Sequence, residues 1–441
     1  MGYVQIINIR MNPIKISPWM LLCTSALYAN SAGLDNDIND AFTMANGGAV
    51  TARAANAATN WYNPAGISKL KGRHLNMTLS REVVEYQHQP STAGGGKIEA
   101  ADHFIIPAMY FTSNFDYRWS WGISVNSPYG LSFAWNNPAI RYIVTKSEFK
   151  SMYVTPSLSY AVDENLSFAL GINASRSSGE LNRSVNLTAV NTALNSGKLS
   201  TSPDAQSHLV GEDAGLGFNL GAMYNLNDHD TLGLVYRSRN TVRLDGDLTI
   251  SGLNGTSALV FGGSTYKTST VLEFNLPPSI SLGYKHKMCD QLTMELDLEW
   301  VQWSELDDFS VRYKTESNAT RLLVLNTDNP SRKDYSDTVT IAYGMEYAIN
   351  PRHALSAGTR YRPSPVPDET ADPIAPVNDI FNLDLGYSYI MQRSRLDFVL
   401  AHAWSKTRSI DNNVGASSLA SADGKYSLYA QVFGASYNFN F

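Results

Sequence analysis

The chain has 441 residues, of which 43% are hydrophobic, 11% aromatic and 17% charged, and its formal net charge is -6. No apolar run reaches the roughly 18 residues of a membrane-spanning helix, and the mean hydropathy is -0.22, which excludes a helical membrane protein. The absence of basic clusters excludes a nucleic-acid-binding surface, and 2 cysteines exclude a disulfide scaffold. A soluble β protein and a transmembrane β-barrel remain.

The N-terminus has the layout of a secretory signal peptide. Basic residues precede the apolar stretch 19–23, and small residues follow at 29–32. We predict a signal peptide over residues 1–31, cleaved after Ser31. The alternative, a buried amphipathic helix, is weaker because Pro13 and Pro18 would interrupt it.

Residues 32–72 are rich in Ala, Asn and Gly and do not alternate as a strand would. The lumen of a barrel of about 14 strands is wider than wall side chains can fill. We therefore predict that residues 32–72 form a plug inside the lumen. A disordered periplasmic tail is the alternative, but few charges and many small residues favour close packing.

From residue 73 onward the sequence alternates with period two in runs separated by turn-rich stretches, which predicts an all-β fold. We expect a transmembrane antiparallel β-barrel over residues 73–441, with connections that alternate between short and long. Its fourteen strands are predicted near 73–88, 103–115, 118–131, 149–162, 166–181, 212–226, 230–251, 268–286, 292–313, 335–349, 353–366, 380–391, 394–410 and 425–441.

The two faces of these strands differ in polarity. In the last strand the aromatic side chains share one face, which predicts contact with lipid, and the polar side chains take the other. Glu295, Asp297 and Glu299 are predicted to point inward on the ninth strand. We expect them to pair with cations of the plug such as Arg53.

The third strand contains an irregular stretch, Ser127-Pro128-Tyr129-Gly130. Proline cannot donate to a ladder and glycine permits a bend, so hydrogen bonding is expected to lapse there. Inside a membrane such a lapse must be covered by protein or line a cavity. These four residues therefore form either a lateral gate or the point at which the strand ends and a loop begins.

Several short stretches match motifs of one known family. The tripeptide Asn63-Pro64-Ala65 is the most specific of them and lies at the expected distance from a mature start that includes Leu34. The other matching stretches are Trp121-Gly122-Ile123-Ser124 through Tyr129-Gly130-Leu131, Tyr236-Arg237-Ser238, Asn275-Leu276-Pro277, Trp303-Ser304 and Ser364-Pro365-Val366-Pro367. Together they resemble the FadL family of outer-membrane transporters for long-chain fatty acids and other hydrophobic compounds. The resemblance implies a plugged barrel in the bacterial outer membrane, ligand capture at the outer surface and exit through the wall beside the third strand, so it favours a lateral gate at Ser127-Pro128-Tyr129-Gly130.

A carboxylate head group would require an Arg or Lys beside an apolar pocket. Arg176, in the upper half of the fifth strand, and Lys333, in the fifth long loop, are the candidates for this role. The expected small-molecule partner is a long-chain fatty acid or an aromatic hydrocarbon, and outer-membrane lipid is the second expected partner. The protein is expected to be a monomer and to bind no nucleic acid.

Two other functions fit a barrel of this kind. An outer-membrane lipase needs a Ser, His and Asp or Asn constellation, and no such motif stands out, so we predict no enzyme activity and no catalytic residues. A general porin would have no use for about forty plug residues ahead of an open polar lumen. No metal-ligand spacing is evident, and no cofactor is expected.

Overall fold

The structure, a computed structural model, describes residues 39–91, 97–327, 329–416 and 420–441. The predicted signal peptide, residues 1–31, and Leu34 of the predicted plug lie outside the described residues. Most of the described chain is β-strand.

Within the described ranges, fourteen antiparallel strands form a single closed barrel. Strand β1 pairs with both β2 and β14, with Leu75 opposite Phe111 on one side and opposite Phe439 on the other, so the sheet has no free edge at this point. The strands are β1 Arg73–Pro90, β2 Ile98–Asn114, β3 Trp119–Asn126 with Gly130–Ala134, β4 Lys146–Ala161, β5 Leu166–Val185, β6 Ala205–Asn225, β7 Asp230–Arg237 with Asn240–Ser251, β8 Thr265–Leu276 with Ser279–Lys287, β9 Leu292–Val301 with Asp308–Tyr313, β10 Thr338–Asn350, β11 His353–Arg362, β12 Ile380–Ile390, β13 Ser394–Ser405 and β14 Gly424–Asn440.

The predicted number of strands is confirmed, but several bounds differ. Strand β6 begins at Ala205, seven positions before the predicted start of 212. The prediction missed its outer part because the side chains there are polar and lack apolar alternation. Strand β8 is interrupted at Pro277 and Pro278, which cannot donate to a ladder. Short ladders Arg408–Ile410 and Ser331–Arg332 lie in the long loops.

The faces of the wall agree with the prediction. On β12, Leu383 and Leu385 are 52% and 55% exposed, whereas Asp384 between them is 4% exposed. On β9, Glu295 and Asp297 are buried while Leu296 and Leu298 face outward. The apolar positions therefore form the outer surface, and the acidic ones point into the lumen.

Residues 39–72 precede the first strand and are almost entirely buried against the inner face of the wall. They contain helix α1 Ala41–Ala45, helix α2 Thr59–Tyr62 and a 3-10 helix over Pro64–Lys69. Asp40 caps α1 by accepting a hydrogen bond from the Thr43 amide at 3.0 Å. These described residues occupy the interior that the sequence assigns to the plug.

Wall glycines allow this segment to approach the strands closely. A Cβ atom at Gly358 would lie 1.9 Å from the Gly47 nitrogen, and one at Gly344 would lie 2.4 Å from the Asn46 carbonyl oxygen. Real side chains do not tolerate such separations, so these wall positions require glycine. The fit between segment and wall is therefore backbone against backbone.

Within the described ranges, three short α-helices lie in the long loops: α3 Leu187–Leu194, α4 Gly255–Phe261 and α5 Ala319–Leu325. Leu187, Phe261 and Leu325 join the outer part of β7 in one buried apolar cluster. The loops are therefore folded over one end of the barrel. No helix in the described part of the chain is long and apolar enough to cross a membrane.

Candidate binding cavity and interrupted wall

A cavity of about 480 Å³ lies inside the barrel, between the outer segments of β4 to β9 and the long loops. This is within the range of about 300–1,000 Å³ that is typical of small-molecule sites. The barrel wall supplies one side of the cavity, and loop residues 324–325, 329–332, 369–370, 372, 374–375 and 414–415 lie on the other.

The lining of this cavity is mainly aliphatic and aromatic. Phe274 packs edge-on against Phe149 and Phe309, with ring centroids 5.4 Å and 5.3 Å away. Other apolar lining residues are Leu131, Ile143, Leu181, Leu209, Leu244, Leu248, Ile250, Leu272, Val311, Leu325 and Ile374. Because each buried CH₂ group stabilises a complex by about 0.8 kcal/mol, the cavity suits an apolar solute.

Lys333 lies beside this cavity, but its charge is already engaged. Its side chain is 1% exposed and forms an ion pair with Asp372, which is itself part of the lining. The ammonium nitrogen also lies 5.0 Å from the ring centroid of Phe309. Lys333 is one of the two head-group candidates named from the sequence, in which the carboxylate that neutralises it was not recognised.

Arg176 lies elsewhere. It belongs to the outer face of β5, together with Leu170 and Ile172, and its side chain is 65% exposed. Its guanidinium pairs with Glu212 on the neighbouring strand at 2.6 Å. The structure therefore does not bring Arg176 and Lys333 together, because the pleat of β5 turns Arg176 away from the lumen.

Polar groups occur at the margin of the cavity. Burial raises the pKa of the Tyr142 phenol, and its hydrogen bond to Asp204 raises it further, so this lining group is uncharged at neutral pH. Glu180 and Glu148 also belong to the lining, and both pair with Lys146, at 2.6 Å and 3.5 Å. The charged groups at this margin are thus arranged in pairs.

Strand β3 is interrupted where the sequence predicts it. Its ladder with β2 runs from Asn114 opposite Ser120 to Met109 opposite Val125 and ends there. The second segment, Gly130–Ala134, pairs with β4 but, among the residues described, has no ladder with β2. Ser127 and Pro128 lie between the two segments and are buried. Among the residues described, the β2–β3 backbone ladder ends before this point, at Val125.

Side chains cover the resulting gap. Phe133 packs edge-on against Tyr86 at 4.4 Å, and the Ser132 hydroxyl donates to Asp102 of β2 at 3.2 Å. Phe104 and Ile106 of β2 lie in the same buried apolar cluster as Leu131 and Phe133. Leu131 also lines the cavity, so the cavity extends to this part of the wall.

Asn39, the first described residue of the chain, is hydrogen-bonded to the interrupted strand. Asn39 accepts a hydrogen bond from the Ser127 amide through its side-chain oxygen at 3.2 Å. Its backbone carbonyl accepts another from the Tyr110 hydroxyl at 3.0 Å. The start of the described plug segment is thus bonded both to β2 and to the interrupted strand.

The tripeptide Asn63-Pro64-Ala65 connects the plug segment to the wall. The side-chain amide of Asn63 donates to the carbonyls of Thr51, at 2.7 Å, and Ala222, at 3.1 Å. The carbonyl of Ala65 accepts from the hydroxyls of Ser159 and Ser167, at 3.2 Å and 3.0 Å. Pro64 begins the 3-10 helix, where its fixed φ angle fits and its missing N–H costs nothing.

The predicted pairing of an inward carboxylate with Arg53 is present. Arg53 lies 3.3 Å from Glu295, and the Ala52 amide donates to the same carboxylate at 2.5 Å. Asp297 accepts hydrogen bonds at 2.9 Å from the amides of Val50 and Thr51. Asp297 and Glu299 differ from the predicted pairing with a cation: Asp297 is bonded to these two backbone amides, and the Glu299 carboxylate accepts from the Ser281 hydroxyl of the neighbouring strand.

Metal-ligating side chains are not clustered in the described ranges. No group of three or more His, Cys, Asp or Glu side chains there could hold a metal ion. Cys289 is free and exposed in a turn between β8 and β9.

The arrangement defines a class of protein. A closed antiparallel barrel of fourteen strands with an apolar outer face and a chain segment in its lumen is a plugged outer-membrane barrel. The chain belongs to the family described as outer membrane protein transport protein (OMPP1/FadL/TodX), whose model matches residues 20–441. The protein is thus an outer-membrane transport protein.

Individual relatives share modest identity with the chain. A long-chain fatty acid transport protein of Escherichia coli is 23% identical over 355 residues, which cover 76% of this chain and 77% of that protein. The crystal structure of a FadL homologue of Pseudomonas aeruginosa is 20% identical, with a TM-score of 0.80 over 93% of this chain and all of that one. The toluene transporter TbuX of Ralstonia pickettii is 19% identical, with a TM-score of 0.68 over 92% of this chain and 99% of that one. The structural likenesses establish the fold.

Proposed function

We propose that the protein takes up long-chain fatty acids or similar hydrophobic compounds across the outer membrane. The ligand is captured at the outer surface, occupies the apolar cavity and leaves sideways at Ser127-Pro128-Tyr129-Gly130. The observation that carries this proposal is the contact between the cavity and the interrupted wall, because Leu131 belongs to both. Uptake of aromatic hydrocarbons is the alternative within the same family.

The chemistry of the solute explains why a lateral route is favoured. A hydrophobic compound that enters a water-filled pore loses about 0.8 kcal/mol for each CH₂ group that becomes hydrated. An opening in the wall would instead release it into the outer leaflet. The buried plug segment blocks the direct axial route, since it is bonded to the wall through Asn63 and Arg53.

The names of the relatives agree with this class of ligand. One is a fatty acid transport protein and another a toluene transporter. We infer that this chain likewise transports and does not catalyse a reaction. Outer-membrane lipid is the partner that receives the solute, and one copy of the chain contains the cavity, so a monomer suffices.

Uptake can be measured in cells that lack related transporters. Cells expressing the protein should accumulate a radiolabelled alkane faster than cells without it. Leu272→Asp introduces a charge into the cavity and should abolish most of the gain, whereas Leu199→Asp changes a loop leucine that is 81% exposed and should not. Equal accumulation with and without the protein would refute the proposal.

A further inference from the structure

The charges around the cavity distinguish between two kinds of hydrophobic solute. A fatty acid carries a carboxylate at neutral pH, whereas an alkane, an alcohol or an aromatic hydrocarbon carries no charge. Moving a carboxylate out of water is costly unless a cation or several donors receive it. A cavity that binds a fatty acid therefore needs a nearby cation that no carboxylate of the protein already neutralises.

The most deeply buried cation, Lys333, is committed to Asp372. The side chains of this pair are 1% and 6% exposed, and Asp372 is the member that lines the cavity. The second oxygen of Asp372 accepts from the Ile374 amide at 2.9 Å, so the carboxylate is held on both sides. A ligand carboxylate would thus meet the negative member of the pair first.

The remaining cations near the cavity are also engaged. Lys146 pairs with Glu180 and Glu148, and Lys150 pairs with Glu148 at 2.5 Å. Arg332 pairs with Asp334. Arg183 is not free either. Among the described residues that line the cavity, the acids Glu148, Glu180, Glu369 and Asp372 outnumber the bases Arg183 and Arg332.

We propose that the cavity prefers uncharged hydrophobic compounds to carboxylates, and that the Lys333–Asp372 pair sets this preference. This inference rests on the proposed uptake function and narrows its substrate class. Asp372 forms the ion pair that keeps Lys333 from binding a ligand carboxylate, so it is a specificity-determining residue. An uncharged solute fills the apolar part of the cavity without separating the pair.

The test compares two ligands with the same chain, hexadecan-1-ol and hexadecanoate, both tritiated. Binding is measured on the full mature protein in lipid nanodiscs, above the pKa of the acid. We expect the alcohol to bind at least about tenfold more tightly, the ratio that corresponds to losing one charge-assisted hydrogen bond. Equal or tighter binding of hexadecanoate would overturn the inference while leaving uptake of hydrophobic compounds intact.

Two variants assign the preference to the pair. Asp372→Asn releases Lys333 and should tighten hexadecanoate binding by about tenfold or more, with little change for the alcohol. The control Asp290→Asn removes the partner of Lys287 in the turn between β8 and β9, away from the cavity lining, and should change neither affinity. An unchanged affinity of Asp372→Asn for hexadecanoate would show that the pair does not set the preference.

A double variant covers the case in which Asp372→Asn does not fold. Lys333→Met with Asp372→Leu replaces the buried pair by apolar side chains, an exchange that buried pairs often tolerate. It should bind the alcohol as the natural protein does. If it loses hexadecanoate binding that the natural protein has, Lys333 is a head-group ligand and the inference is wrong. If the folded natural protein binds neither ligand, the proposed uptake function fails as well.

Discussion

The side-chain oxygen of Asn39 accepts a hydrogen bond from the backbone amide of Ser127, 88 residues later in the chain. The bond joins the segment inside the barrel to the point at which the third strand loses its pairing with the second. Because both residues are buried, the bond is shielded from water. The position of the plug segment and the shape of the interrupted wall are therefore coupled.

Asn39→Ala should loosen the interrupted strand. The Ser127 amide would lose its acceptor in a buried position, at a cost of about 1–3 kcal/mol. Hydrogen–deuterium exchange should become faster over residues 126–131 and stay unchanged in β10. Asn39→Asp keeps an acceptor and serves as the control; identical exchange in both variants would show that the bond does not hold the strand.

Gly358→Ala should displace the plug segment. The added Cβ would lie 1.9 Å from the Gly47 nitrogen, which leaves no room for the backbone there. Ion conductance in planar bilayers should rise sharply. Gly217→Ala is the matched control, because its Cβ would meet the movable Ser238 hydroxyl at 3.0 Å. A conductance of Gly358→Ala equal to that of the control would argue that the segment does not close the lumen.

Arg53→Met should destabilise the protein far more than Arg176→Met. The first leaves the buried Glu295 without its partner, which costs about 3–5 kcal/mol. The second breaks a pair whose side chains are 65% and 64% exposed, which is worth about 1 kcal/mol or less. The free energies of unfolding in detergent micelles provide the measurement, and equal losses would contradict the structural difference between the pairs.

The barrel could be predicted from the sequence because each strand and turn is marked by residues that are close together in the chain. Alternation along a strand such as β12 reports which face meets lipid, and turn-rich stretches separate the runs. Where the outer strand segments leave the membrane this signal fades, which explains the late predicted start of β6. The same reasoning identified the lapse at Pro128 and the pairing of Arg53 with an inward carboxylate.

The cavity was less accessible to sequence reasoning, because its parts come from distant segments. Lys333 and Asp372 are 39 residues apart in two different long loops, and no periodicity relates them. The loop helices α3 to α5 are also too short to show a clear helical pattern. Arg176 lies an even number of positions after Leu170 and Ile172 on β5, so the alternation along this strand already indicates that all three side chains face outward.

Gly130→Phe tests the lateral route most directly. A phenyl ring at this buried position should fill the gap beside the second segment of β3, whereas Ala134→Phe adds the same ring at an exposed position of that segment. Both variants are first checked for folding by their heat-modifiable mobility in electrophoresis. The rate of uptake of a radiolabelled alkane by whole cells is then compared. We expect Gly130→Phe to lose most of the uptake and Ala134→Phe to keep it; equal, undiminished uptake in both would contradict passage through the wall.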